Sequence, residues 1–227
     1  MLSEQQVERY SRQIILPQVG GRGQQKLLSA AIAVVGRRDL SATVALYLAA
    51  AGIGRLILSA PSPLSEAAGV NSDCRVSPLP SPVTRDVSVD LAHHCSVIVA
   101  SGASPEVCDM LNAACVARGT TLVWADTAGS LGLATVFRRD ADQCPCYACV
   151  RTPLSHWLAA AAAPDAFAEA VAAFIGTVQA TEAIMQVVGL DRPATARVMA
   201  YDAVAGMMND MTIARNPHCS TCAAVHA

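Results

Sequence analysis

The run Ala31-Ile-Ala-Val-Val-Gly36 decides the fold class, because it is short, wholly apolar and rich in β-branched residues. Such a run is typical of a central strand in a parallel sheet, where both faces are buried. A helical pattern follows at 40–51 and ends at Gly52, and a second apolar run follows at 55–59. This strand–helix–strand order predicts a doubly wound, Rossmann-like α/β domain with a mostly parallel sheet.

The alternation of strands and helices continues along the chain. Further strands are predicted at 96–100, 121–125, 131–138, 197–202 and 207–214, and further helices at 3–13, 23–29, 105–118 and 165–188. The last two strands are expected to pair antiparallel, and five prolines between residues 60 and 82 predict a loop there. We expect one domain over 1–227, with N-terminal helices at 1–30, a Rossmann-like core at 31–140 and a C-terminal part at 141–227.

The composition argues against several classes of protein. The chain of 227 residues is 53% apolar and 15% charged, which argues against disorder. Its formal net charge is −2 and no run is strongly basic, so we expect no nucleic-acid partner. The most apolar stretch, 157–176, contains Pro164, Asp165 and Glu169, which makes it a poor membrane helix. Since the N-terminus also lacks a signal-peptide pattern, we expect a cytoplasmic protein without a membrane partner.

Four of the nine cysteines form a pattern typical of a structural zinc site. Cys146 and Cys149 form one C-x2-C pair, and Cys219 and Cys222 form another. Both thiolates of such a pair can reach one ion, and two pairs complete a tetrahedral shell with no open position for a substrate. A redox dithiol or a disulfide is the alternative, but a redox pair needs only one C-x2-C and cytosolic disulfides are disfavoured.

The remaining cysteines do not share this pattern. Cys108 and Cys115 lie seven residues apart in an apolar helical pattern, and Cys95 directly precedes a predicted strand. Packing in the core explains these three cysteines. Cys144 lies two residues before the first pair, and its spacing assigns it no role.

Motifs over nearly the whole chain carry a family resemblance. They begin with Glu8-Arg-Tyr-Ser-Arg-Gln-Ile-Ile-Leu16 and continue at 23–24, 47–54, 176–184, 201–203 and 215–219, together with both cysteine pairs. These segments resemble the MoeB/ThiF/HesA family, the bacterial relatives of ubiquitin-activating enzymes. The resemblance implies binding of Mg-ATP, adenylation of the C-terminal glycine of a ubiquitin-like sulfur-carrier protein, and a homodimer.

The glycine-rich turn of that family is altered in this chain. Where the family has G-x-G-G-x-G, this sequence reads Gly36-Arg-Arg-Asp-Leu-Ser41, so that Arg38, Asp39 and Ser41 replace glycines. Side chains then stand where the backbone must approach phosphate closely. Asp39 is predicted to cap the following helix. Gly36, Arg37 and Arg38 are candidates for anion binding, against the alternative that the two arginines are simply solvated.

The charged groups of the family's nucleotide site are also replaced. The acidic positions after the second strand align with Ala60 and Ser62, and the two aspartates that bind Mg²⁺ align with Ala100 and Ala103. Lys26 is the only lysine and precedes the first strand, so it cannot replace the family's phosphate-binding lysine. We therefore expect a site too incomplete for ordinary ATP-dependent adenylation.

These losses predict a non-catalytic member of the family, which acts as a binding or scaffolding subunit for a carrier protein, a peptide or an active paralogue. Arg12 matches a family arginine that reaches into the ATP site of the partner subunit, so we expect a homodimer or a heterodimer with that paralogue. The alternative for Arg9 and Arg12 is that both anchor the N-terminal helix through salt bridges.

Two enzymatic alternatives follow from the same residues. One is an adenylyltransferase that activates the C-terminus of a ubiquitin-like sulfur carrier through a substituted site. The other is an enzyme that uses the crevice at the carboxyl ends of the strands for a different ligand. For this second alternative, the polar residues expected to converge there are Arg37, Arg38, Asp126 and Thr127.

Overall fold

The structure, a computed structural model, describes residues 1–59, 67–138, 144–160, 166–190 and 197–223. The main helices are α1 (Glu4–Arg9), α2 (Ser11–Ile14), α3 (Gly20–Ser29), α4 (Arg38–Ala51), α5 (Arg85–His94), α6 (Pro105–Arg118), α7 (Tyr147–Ala160) and α8 (Ala168–Val188). The strands are β1 (Ala31–Gly36), β2 (Arg55–Leu58), β3 (Arg75–Pro78), β4 (Val97–Ser101), β5 (Thr121–Ala128), β6 (Leu131–Phe137), β7 (Arg197–Asp202) and β8 (Met207–Thr212).

The strands form a single mixed sheet in the order β3-β2-β1-β4-β5-β6-β7-β8. Strands β1 to β5 run parallel, and β6, β7 and β8 join the sheet through antiparallel pairs. The predicted fold class is therefore confirmed. Both segments predicted to close the chain as antiparallel partners are strands, β7 and β8.

Helices cover both faces of this sheet. On one face, Leu27 of α3, Leu48 of α4 and Ala183 of α8 pack against Ile32 and Val34 of β1. On the other face, the core joins the following residues: Leu91 of α5, Leu111 of α6, Leu154 of α7, and Ala33 and Val35 of β1. Successive residues of a strand point to opposite faces, so β1 is apolar throughout because it is buried on both sides.

The N-terminal helix is shorter than predicted. Ser3 caps α1 and forms a capping box with Gln6, as its sequence indicates. The helix then breaks at Tyr10, which is 1% exposed, and α2 begins at Ser11. Burial of the Tyr10 ring in the body of the protein competes with continuation of a straight helix.

The loop predicted at 60–82 is wrong in part. Arg75–Pro78 is an edge strand that pairs in parallel with β2, and Pro78 is its last residue. An edge strand tolerates proline because it needs hydrogen bonds on only one side. The segment 60–66 lies outside the described residues. Helices α5 and α7 have no counterpart among the predicted elements, and the division of the domain into three parts stays a prediction.

Helix α8 is long and apolar enough to cross a membrane by length and composition, and 44% of its apolar window is buried within the fold. Its Gln179 is fully buried and holds two strands together. Nε2 donates to the carbonyl oxygens of Ala100 at 2.8 Å and Val123 at 3.1 Å, while Oε1 accepts from the Ser101 hydroxyl at 2.7 Å. These bonds tie α8 to β4 and β5.

Candidate functional site

The first candidate site is the crevice at the carboxyl ends of β1, β4 and β5. Gly36 ends β1 with a φ of +150°, and an added Cβ would lie 1.8 Å from the carbonyl oxygen of Ser101. The same carbonyl accepts from the Arg37 N–H at 2.9 Å. The close approach of β1 and β4 therefore requires glycine at this position whether or not a ligand binds.

Arg37 crosses the crevice from the amino end of α4. Its Nη1 lies 3.0 Å from a carboxylate oxygen of Asp126, and its Nη2 donates to the Thr127 hydroxyl at 3.0 Å. An added Cβ on Gly102 would lie 3.0 Å from the guanidinium carbon, which shows how closely the guanidinium lies against the turn after β4. The expected convergence of Arg37, Asp126 and Thr127 is thus observed, while Arg38 is an exposed first residue of α4.

The capping role predicted for Asp39 is wrong. Arg37 holds the N-cap position of α4 and its side chain does not cap the helix. Asp39 lies one residue inside the first turn, where its carboxylate accepts from Arg37 Nε at 3.4 Å. A carboxylate in the first turn still interacts favourably with the helix dipole.

Asp126 is the carboxylate that the crevice presents on β5. Burial raises the pKa of Asp126, and the charge of Arg37 acts in the opposite direction. Ala100, which aligns with one metal-binding aspartate of the family, is fully buried in β4 and offers no ligand. The charged groups at this end of the sheet therefore differ in position from those the resemblance implies.

Arg9 and Arg12 differ in the contacts that their side chains make. Arg9 pairs with the Asp73 carboxylate and donates to Asn71, and the hydroxyl of the buried Tyr10 donates to Asp73 at 2.9 Å. Arg12 is exposed on α2, and in the described part of the chain it makes no hydrogen bond or ion pair. The anchoring alternative thus holds for Arg9, and the role of Arg12 across a dimer stays a prediction.

The second candidate site is the cysteine cluster, whose Cys146, Cys149, Cys219 and Cys222 come together as the spacing predicts. Their sulfur atoms all lie within 4.8 Å of one another. Three of the Sγ–Sγ separations are 3.9 Å for Cys146–Cys149, 3.7 Å for Cys146–Cys219 and 3.6 Å for Cys149–Cys222. A tetrahedral Zn²⁺ with Zn–S bonds of about 2.3 Å gives an edge of about 3.8 Å. None of the four cysteines forms a disulfide, so all four thiol groups are available to bind a metal ion.

The thiols of the cluster differ in acidity. Burial opposes ionisation of Cys219, but hydrogen bonds from the N–H groups of Cys222 and Thr221 lower its pKa to about 7. Burial raises the pKa of Cys149 to about 11. Cys219 therefore ionises more readily than Cys149, whose thiol needs a nearby cation to ionise near neutral pH.

Cys95, Cys108 and Cys115 lie in the core, as predicted, and belong to the cluster of apolar residues under α5 and α6. Burial raises the pKa of Cys95 to about 11 and that of Cys108 and Cys115 to about 12, which makes them unreactive thiols. Cys144 is also buried and lines a cavity of about 20 Å³ beside the cysteine cluster.

The fold and the two sites define a class of proteins. The profile of the ThiF family matches residues 64–221, more than half of the chain, and the protein belongs to this family.

Particular relatives extend the match to both ends of the chain. It is 29% identical over 249 residues to the Bos taurus protein "Adenylyltransferase and sulfurtransferase MOCS3", a match that covers 97% of this chain and 54% of that one. It is 26% identical over 250 residues to the "Sulfur carrier protein adenylyltransferase" of Thermus thermophilus, covering 97% of this chain and 92% of that one. The chain thus spans about half the length of the MOCS3 proteins but nearly all of the bacterial relative.

Solved structures show the same fold. Escherichia coli MccB with ATP superposes with a TM-score of 0.72 at 20% identity, covering 94% of this chain and 74% of that one. PaaA superposes with a TM-score of 0.73 at 15% identity, covering 94% and 84%. The resemblance to the MoeB/ThiF/HesA family is confirmed by these comparisons. A non-catalytic role is not shown, and relatives named as adenylyltransferases agree better with the first enzymatic alternative.

Proposed function

We propose that this chain is an adenylyltransferase that activates the C-terminal carboxylate of a ubiquitin-like sulfur-carrier protein or a peptide through a substituted nucleotide site. The relatives named above as adenylyltransferases support the reaction class. The observation that carries the proposal is the cluster of Arg37, Asp126 and Thr127 at the carboxyl ends of the strands, where α/β folds bind ligands.

The cluster offers one group of each kind that Mg-ATP needs. The Arg37 guanidinium, at the amino end of α4, is suited to a phosphate group, and the helix dipole acts in the same direction. The Asp126 carboxylate is suited to Mg²⁺, and the Thr127 hydroxyl is a further oxygen ligand or hydrogen-bond donor. When bound, Mg-ATP supplies the adenylyl group for the carboxylate of the second substrate.

Arg37 and Asp126 form an ion pair in the structure, and binding of Mg-ATP to these two residues requires the pair to separate. The side chains of Arg37 and Asp126 are 45% and 22% exposed, so solvent screens their attraction in part. A pair of this kind is worth roughly 0.5–1 kcal/mol, which weakens apparent nucleotide affinity by about two- to fivefold. The pair therefore tunes nucleotide binding without preventing it.

A second candidate is the non-catalytic binding subunit, and one observation favours it. Arg37 already has three partners within the chain, and Ala100 and Ala103 replace the aspartates to which the resemblance assigns Mg²⁺ binding. In this case the ion pair of Arg37 and Asp126 occupies the position where a nucleotide would otherwise bind. Nucleotide binding distinguishes the two candidates.

Calorimetric titration of Mg-ATP into the metal-loaded protein tests the proposal. We expect micromolar binding, a loss of at least about tenfold in Arg37→Ala because a charge-assisted contact to phosphate is removed, and no change in the matched surface variant Arg22→Ala. Asp126→Asn should weaken binding of Mg-ATP more than binding of ATP with EDTA, whereas the exposed Asp86→Asn should alter neither.

Absence of heat at millimolar Mg-ATP would refute the enzymatic proposal and favour the binding subunit. If nucleotide binds, exchange of pyrophosphate into ATP in the presence of synthetic peptides ending in Gly-Gly tests activation of a carboxylate. Binding without exchange, with any of these peptides, would leave the chain a nucleotide-binding subunit rather than an adenylyltransferase for such termini.

We also propose that the cysteine cluster holds structural Zn²⁺, with all four thiolates as ligands and no open position. Such an ion would join the turn after β8 to the start of α7 and so stabilise the C-terminal strands. Elemental analysis of purified protein should give one zinc per chain, and the Cys219→Ser variant should give substantially less.

A dimer is part of the proposal, with Arg12 reaching across the interface. Light scattering of the purified chain tests self-association, and mixing Arg12→Ala protein with an active paralogue tests whether Arg12 acts on another subunit. A cytoplasmic location stays a prediction.

A further inference from the structure

Two buried N–H donors without a partner flank the cysteine cluster. In the described part of the chain, four buried side-chain atoms lack a hydrogen-bond partner: Gln24 Oε1, Ser41 Oγ, Asn112 Nδ2 and Arg215 Nε. The last two are both donors, and both residues bond to the main chain beside or within the cysteine pairs: Asn112 at Tyr147 and Arg215 at Cys222. A buried donor without an acceptor is unfavourable, so each of these N–H groups is expected to gain a partner when the site is complete.

Asn112 approaches the cluster from α6 and is 1% exposed. Its Oδ1 accepts from the main-chain N–H of Tyr147 at 2.9 Å, which fixes the orientation of the side-chain amide. Tyr147 directly follows Cys146. Asn112 and Cys146 line the same small cavity. The amide N–H is therefore placed to stabilise negative charge on the Cys146 sulfur.

Arg215 lies in the segment after β8, next to the second pair, Cys219 and Cys222. Its Nη2 donates to the carbonyl oxygen of Cys222 at 3.1 Å, while Nε is buried without a partner. The bond to Cys222 holds the guanidinium beside this cysteine. The guanidinium is thus a fixed positive charge next to the thiol groups.

We propose that Asn112 and Arg215 are positioning residues of the metal site, whose Nδ2–H and Nε–H donate to the thiolates of Cys146 and Cys222. The inference rests on the proposed zinc site. Four thiolates around a divalent ion leave a net charge of −2 in a largely buried place, and donors in the surrounding shell reduce the charge on sulfur. The arrangement gives one such donor to each C-x2-C pair.

A buried water is the competing explanation for Asn112. The cavity of about 20 Å³ beside the cluster is lined by Asn112, Cys144 and Cys146, and this volume admits about one water molecule. Such a water would satisfy Nδ2 without any role for the metal. The two explanations differ in whether loss of the N–H changes the properties of the bound metal.

Cobalt substitution followed by competition with a chromogenic chelator separates the two explanations. Asn112→Asp keeps an acceptor for the Tyr147 N–H but removes the amide donor, whereas Asn112→Leu removes both. Arg215→Lys keeps the charge but removes the Nε–H, and Asn209→Asp, on exposed β8, is the matched control for a new negative charge. The readouts are the sulfur-to-cobalt charge-transfer band and the affinity for Co²⁺ and Zn²⁺, with circular dichroism to confirm folding.

We expect Asn112→Asp and Asn112→Leu each to weaken metal binding by about 10- to 100-fold and to shift the charge-transfer band. Arg215→Lys should shift the band with a smaller loss of affinity, and Asn209→Asp should match the unaltered protein. The proposal is overturned if Asn112→Asp keeps both affinity and band while Asn112→Leu loses affinity, because Asn112 would then serve only to hold the main chain of Tyr147. If the unaltered protein shows no thiolate band with Co²⁺, the zinc site itself fails, which is a distinct result.

Discussion

Substitution of Gly36 by alanine should destabilise the protein far more than an ordinary glycine substitution. Two separate effects add at this position. A φ of +150° is unfavourable for any residue with a side chain, which costs about 1–3 kcal/mol. The new Cβ would also lie 1.8 Å from the main-chain oxygen of Ser101, and a main-chain atom cannot move aside without separating β1 from β4.

The second effect can be estimated from the bonds that would be lost. Separation breaks the hydrogen bond of 2.9 Å from the Arg37 N–H to Ser101 and leaves a buried carbonyl without a partner. Such a loss costs about 1–3 kcal/mol. We therefore expect Gly36→Ala to lower the free energy of unfolding by about 2–6 kcal/mol, a large part of the stability of a typical domain.

Gly206→Ala is the matched control for this experiment. Gly206 has a φ of +62°, and an added Cβ would meet no atom within 4 Å. The free energy of unfolding of Gly206→Ala should therefore fall by only about 1–2 kcal/mol, because of the strained backbone conformation alone. Urea unfolding of the metal-loaded variants, followed by the fluorescence of the buried Trp124, measures the loss of unfolding free energy in Gly36→Ala and in Gly206→Ala. Equal losses in the two variants would refute the argument that contact between β1 and β4 requires glycine at position 36.

Three further predictions concern other contacts. Gln179→Leu should lower the free energy of unfolding by about 2–4 kcal/mol in urea titrations, since two buried carbonyls and a hydroxyl lose their partner; a loss below about 1 kcal/mol would contradict this. Burial acts to raise the pKa of Asp73, but hydrogen bonds, above all the one from Tyr10, outweigh burial and lower this pKa below its ordinary value. The stability that the Asp73 carboxylate contributes to the fold should therefore disappear as pH falls through the lowered pKa. Asp73→Asn should therefore show a weaker acid dependence of Tm than the unaltered protein. The pKa of Asp126 is raised by burial, so its contribution is present below the unfolded-state pKa and is lost as pH rises through the folded-state pKa. Asp126→Asn should then lose stability less steeply in that pH range, and an unchanged Tm profile would count against the burial of this carboxyl.

Local patterns in the sequence were sufficient for most of the sheet and for the grouping of the four cysteines. The predicted first strand, 31–36, agrees with the bounds of β1, because a strand buried on both faces must be apolar at every position. Gly52 ends α4 in the left-handed conformation, where glycine is favoured. The four cysteines could be paired by spacing because a C-x2-C knuckle is itself a local structure.

The crevice depended on contacts that no local pattern encodes. Arg37 and Asp126 are 89 residues apart, and their ion pair forms because the carboxyl ends of parallel strands meet at one edge of the sheet. The residue types and the common edge were predictable, whereas the pairing of the two charges with each other was not. For Asn112 the signal was weaker still, a polar residue in an otherwise apolar face of α6.

The sequence by itself determined the fold class, the family resemblance and the grouping of four cysteines, since these follow from periodicity, composition and short spacings. Tertiary structure decided that Arg75–Pro78 is an edge strand despite its proline, that Arg37 pairs with Asp126 across the crevice, and that Asn112 and Arg215 lie beside the cysteines. The physical reason is that periodicity reports which side of an element is buried. The particular partner of a buried polar group is set by elements distant in the chain, whose packing brings the two groups together.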